Sequence, residues 1–198
     1  VEAISNLGEV LRKAGRSKEA AAAQRRALVL HPGDQIIESH LGNALLKAGD
    51  YEEAEEIFRS LIAKDPDALL PYVNLGEVYR ESDRANDAIA VLEQALLRIP
   101  NSYQVYNNLS AVFSEQGWWA SAYLMNGKGL ALKGTDPKSQ LNHGTLALAL
   151  GRFAEGWAAY ERRFDVPAEF MPRRAPPPPH WRGEDLAGKS ILIWTEPG

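Results

Sequence analysis

The chain has no cysteine, so disulfides and thiolate metal sites are excluded. Its four histidines, His31, His40, His143 and His180, are scattered. No histidine–carboxylate set has the spacing of a metal site. Long apolar runs are missing too, and none approaches the length of a bilayer span. The sequence opens at Val1 inside a helical pattern, with neither an initiator methionine nor a signal peptide. A fragment or processed chain, located in the cytoplasm, is therefore expected. A basic stripe is also lacking: 22 Lys and Arg stand against 26 Asp and Glu, which argues against nucleic-acid binding. With 45% hydrophobic and 24% charged residues in 198, the composition is that of an ordinary folded protein.

What is present is a period of 34 residues, held without insertion through windows 1–34, 35–68, 69–102, 103–136 and 137–170. The seventh position reads Leu7, Leu41, Leu75, Leu109 and His143; the eighth reads Gly8, Gly42, Gly76, Ser110 and Gly144. Gly15, Gly49, Asp83, Gly117 and Gly151 share the fifteenth, and Ala20, Ala54, Ala88, Ala122 and Gly156 the twentieth. Each window carries two helical patterns of about 14 residues separated by the fifteenth position, where glycine suits a left-handed helix end. Small residues at positions eight and twenty allow close approach within a hairpin. Leu11, Leu45, Tyr79 and Phe113 are expected between hairpins. Pro32, Pro66 and Pro100 fall where the second helix must stop. Such a period points to two-helix units stacked as a solenoid.

These residues resemble the tetratricopeptide repeat (TPR) consensus over 1–170, cleanest in the first three windows. Window four has Gly134 in place of the proline; window five departs further, at His143, Ala147 and Arg163. The fold expected is all-α: a right-handed superhelical solenoid of five hairpins whose first helices line a concave groove. On that groove the sixth position reads Asn6, His40, Asn74, Asn108 and Asn142. An amide donates and accepts, so an asparagine ladder can pair with the backbone of an extended peptide. Alternatively, each asparagine bonds within its own hairpin or tolerates a half-exposed place. Ser5, Ser39, Asn107, Glu9, Asn43 and Glu77 are candidate selectivity residues beside the ladder. The family's clamp for carboxyl-terminal peptides needs lysines and arginines at positions two, five and six. Ile36, Leu70 and Val73 are among the residues standing there instead, so no clamp is present.

The remaining features are weaker. Window one carries a net charge of +2 and window two −5, with Glu52, Glu53, Glu55, Glu56, Asp65 and Asp67 crowded together. A solvated convex face is the simplest account and an acidic docking patch the alternative. Trp118 and Trp119 are expected in the core. Trp157, Tyr160 and Phe164 follow helical spacing and are expected to cap the solenoid against the linker or Trp181.

Beyond residue 170 the pattern changes. Residues 171–183 form a proline-rich linker in which Pro176 to Pro179 must be extended polyproline II. Residues 184–198 open a second domain of α/β type, with Ile191 to Trp194 as its first strand. Gly188, Lys189 and Ser190 are not a phosphate loop, because they precede that strand and do not follow it. Gly151 to Phe164, the linker, and Trp181 to Gly198 together resemble the junction in bacterial TPR-containing glycosyltransferases akin to O-linked N-acetylglucosamine transferases. That resemblance implies a catalytic module of two Rossmann-like halves after the repeats, and a groove carrying an asparagine ladder. Glu196 and Gly198 would open its Gly-rich loop, and the nucleotide-sugar site would lie beyond Gly198. On this reading the chain itself holds no catalytic residue, cofactor or metal. It is a non-enzymatic scaffold that binds an extended peptide or acceptor protein, and not nucleic acid or membrane. A plain assembly scaffold with no link to sugar transfer is the alternative. The acceptor, the sugar and the oligomeric state stay open.

Overall fold

The 34-residue register becomes ten helices in a computed structural model that describes residues 1–133 and 136–160. They are α1 Glu2–Lys13, α2 Ser17–Leu30, α3 Gln35–Ala48, α4 Tyr51–Lys64, α5 Leu69–Glu81, α6 Ala85–Arg98, α7 Tyr103–Glu115, α8 Trp119–Leu132, α9 Pro137–Ala149 and α10 Phe153–Tyr160. No strand occurs among the described residues. The proline-rich linker and the start of a second domain lie outside them.

One turn geometry closes all five hairpins. Gly15, Gly49, Gly117 and Gly151 take φ of 71 to 86°, and Asp83 takes 57° in the third. The left-handed residue lets the next N–H reach back across the helix end. Asp50 N–H donates to the Leu45 carbonyl at 3.0 Å, and the same bond recurs from Arg16, Arg84, Trp118 and Arg152. A Cβ in this region costs about 1–2 kcal/mol. Gly49→Ala is therefore expected to lower stability by about that much, read as a shifted urea midpoint with unchanged helicity.

The second helices end on an extended residue: His31, Asp65 and Ile99 have φ of −128 to −138°, each followed by proline. Steric conflict between a proline ring and the preceding residue imposes that backbone. Lys133 adopts the same shape (φ −141°) although Gly134 follows it, so the bend belongs to the repeat and proline only reinforces it.

Packing within a hairpin depends on the glycine at position eight. A Cβ on Gly42 would lie 2.7 Å from the Phe58 ring, and one on Gly76 would lie 2.9 Å from Leu92. Both large side chains are fully buried, each seated over its glycine. Leu45 and Tyr79 join the continuous core, and Leu11 and Phe113 pack against its edge. Apart from helices adjacent in sequence, α1 touches α3, α3 touches α5 and α5 touches α7. First helices are thus the inner, crowded wall of the curve.

The tryptophans depart from expectation. Trp118 and Trp119 are 48% and 42% exposed. Trp118 sits at the turn and only leans on Phe113, with ring centroids 5.7 Å apart. A hairpin turn faces solvent, which outweighs the apolar character of the indole. The acidic second window, by contrast, is threaded by cross-repeat ion pairs. Glu53 meets Arg25 of the preceding repeat at 2.5 Å and Glu55 meets Arg84 of the following one at 2.6 Å, while Glu38 meets Lys64 within the second repeat at 2.7 Å. Such exposed pairs are each worth about 0–1 kcal/mol.

Candidate functional site: the inner wall

Position six lies four residues after position two and three before position nine, so these positions form one stripe on each first helix. Along that stripe Asn74 is half-buried, Asn6 and Asn142 are exposed, and none of the three has a hydrogen-bond partner among the described residues. Asn108 spends one amide hydrogen on the Gln104 carbonyl, one turn back, at 2.9 Å. His40 is half-buried with Nδ1 3.3 Å from Ser5 Oγ.

The flanking candidates divide. Ser5 is turned into its own hairpin, where its hydroxyl donates to Gln24 Oε1 at 3.0 Å while Gln24 Nε2 donates to the Ser5 carbonyl at 2.9 Å. Asn107 is tied to the next repeat through Ser139 Oγ (2.9 Å), and its Oδ1 is buried without a partner. Ser39 and Asn43 are half-buried on α3. Glu9 is held by Arg12 at 2.9 Å, and that guanidinium bond keeps its carboxyl below the usual range. Glu77 is bridged to Lys47 of the preceding first helix at 2.7 Å. Farther along, Arg80 pairs with Glu115 at 2.5 Å. These pairs neutralise much of the wall's charge among themselves and leave the free amides as its main polar offer.

Two residues of this wall were legible in the sequence yet unassigned. Ile36 and Leu70, at position two of neighbouring repeats, are 68% and 61% exposed beside His40 and Asn74. Their signal was apolar side chains at successive position-two sites. Among the described residues there is no cluster of His, Asp and Glu able to hold a metal ion. No described helix is long and apolar enough to cross a membrane.

A stack of two-helix units with this turn geometry and this wall defines a helical-repeat scaffold. The tetratricopeptide repeat family model matches residues 11–73 and 45–113, together more than half of the chain. The protein belongs to the tetratricopeptide repeat family, whose members bind protein partners. Among solved structures it is similar to TTC0263, a thermophilic TPR protein of Thermus thermophilus. The two are 26% identical with a TM-score of 0.69, over 83% of this chain and 90% of that one. It shares its fold with Pseudomonas aeruginosa PilF at 22% identity and a TM-score of 0.70, over 83% and 75% of the two chains. Protein FlbA of Caulobacter vibrioides is 48% identical over 59 residues, which are 30% of this chain but only 10% of FlbA.

Proposed function

We propose that the inner wall binds an extended peptide of a partner protein, with Asn6, Asn74, Asn108 and Asn142 contacting its backbone. The observation that carries this reading is the column of amides with free donors and acceptors, among neighbours whose charges are already paired. Four rungs with two bonds each supply about 4–12 kcal/mol at the usual net value of a hydrogen bond. Association costs about 4–15 kcal/mol, so backbone contacts alone give weak, sequence-tolerant binding. Ile36 and Leu70 would add selectivity for aliphatic side chains.

The test uses the full chain and a 12-residue peptide enriched from a displayed random library. Asn74→Ala with Asn108→Ala is expected to weaken that binding at least tenfold with unchanged helicity, about 1.4 kcal/mol. Equal affinity of variant and parent would overturn the ladder.

The resemblance of the 151–198 junction supports placing this array in a protein glycosyltransferase, where the wall would recruit the acceptor. On that reading the 198-residue chain turns over no sugar nucleotide by itself, while its parent polypeptide glycosylates the bound peptide. Peptide binding without sugar transfer by the parent leaves the plain assembly scaffold.

A further inference from the structure

The described solenoid ends on an aromatic face. Phe153, Trp157 and Tyr160 are spaced i, i+4 and i+7 on α10, so they share one side of the helix. Phe153 is 62% and Trp157 55% exposed, and Trp157 stands edge-on to Tyr160 with centroids 5.8 Å apart. At the same positions of α6, Leu92 belongs to the core, and Ala85 and Ile89, half-buried, pack against it.

What covers this face in earlier repeats is visible at the opposite end. Positions three, seven and ten of first helices are buried in α3 (Ile37, Leu41, Ala44), α5 (Pro71, Leu75, Val78) and α7 (Val105, Leu109, Val112). In α1, the first helix among the described residues, Ala3, Leu7 and Val10 are exposed. Those positions therefore lie on the preceding second helix. Continued by one period from α9, they fall on Arg173, Pro177 and His180.

That segment cannot repeat the earlier solution. Four consecutive prolines, Pro176 to Pro179, occupy the middle of the would-be helix and exclude it. Their preferred form is polyproline II, and proline rings in that form dock on aromatic surfaces. The lengths agree: four residues at about 3.1 Å each span about 12 Å. From Phe153 to Tyr160 the helix rises about 10 Å. The chain between Tyr160 and Pro176 is also as long as the stretch that returns each first helix onto its predecessor. We propose that Pro176–Pro179 of this same chain lies across Phe153, Trp157 and Tyr160 as the terminal cap of the solenoid. An apolar terminal face needs such a cap, because end repeats with bare apolar surface compromise solubility. The inference does not depend on what the inner wall binds.

Hydroxyl-radical footprinting of the full chain tests it, with Trp118 as internal reference because its exposure is close to that of Trp157. Trp157 is expected to label at least threefold more slowly than Trp118. Replacing the run by Pro176→Gly, Pro177→Ser, Pro178→Gly and Pro179→Ser should bring the two rates together while helicity is retained. Equal rates in the parent chain would overturn the proposal. So would slow labelling of Trp157 that survives the replacement, or that disappears on dilution, which would mark a second copy as the occupant.

Discussion

Phe58→Ala is expected to lower the stability of the chain by about 3–5 kcal/mol, measured by urea denaturation followed by circular dichroism. Its ring is fully buried at the centre of the second hairpin and presses on the backbone of Gly42. No neighbour can move in to fill the void, because α3 and α4 are held at their turn by the Gly49 bend and at their far end by the following repeat. Phe58→Leu, which installs the residue found at the equivalent Leu92, should cost far less. Gly42→Ala probes the same contact from the other side. The gain in helix propensity of about 0.5–1 kcal/mol is outweighed by overpacking worth about 1–3 kcal/mol. In the Phe58→Ala background the added methyl meets no ring, so the two changes together should cost less than their sum. Additive costs would show that Gly42 does not make room for the ring.

Glycine and alanine at fixed offsets made the hairpins legible, since the sites that lack room recur every 34 residues and the structure places helices around them. Position eight could be read because the space it requires is local to one hairpin. The groove was legible only in part. Asn74 and Ser5 both looked like groove polar residues in one dimension, but a single step along a helix turns the side chain by about 100°, and Ser5 faces Gln24 inside the hairpin. Asn107 likewise bonds into the next repeat. Trp118 and Trp119 misled because aromatic character signals burial on average, whereas a turn is wet whatever occupies it. His143 looked like loss of the repeat pattern. Its meaning lay on another helix, at Asn126, and the sequence offers no sign that those two positions meet.

Replacing His143 and Asn126 singly and together separates drift from design. Asn126, 1% exposed, presents Oδ1 to His143 Nδ1 at 3.0 Å. An amide oxygen only accepts, so Nδ1 carries the proton and the neutral ring turns Nε2 toward Glu155 Oε1, 3.6 Å away. Tyr123 stacks on the imidazole at 4.2 Å and donates its hydroxyl to Glu155, while Arg152 lies over the Tyr123 ring at 4.6 Å. The equivalent positions in the second and third interfaces are apolar, Phe58 with Leu75 and Leu92 with Leu109, whereas the first sets the buried Gln24 beside Leu41. Either His143→Leu or Asn126→Leu strands a buried polar partner and should cost about 1–3 kcal/mol. The double variant recreates the leucine pair and should be close to the parent or above it, a coupling of about 1–3 kcal/mol. Burial holds the His143 pKa below its usual value, against the pull of Glu155 and with the help of Arg152. The fold therefore favours the neutral ring, so its contribution is complete above the ordinary histidine pKa of about 6.5 and is lost as pH falls below it. Melting of the parent chain between pH 8 and 5 should show the last hairpin weakening at the acid end, and the double variant should lack that component. An identical acid profile in both would remove His143 from the account.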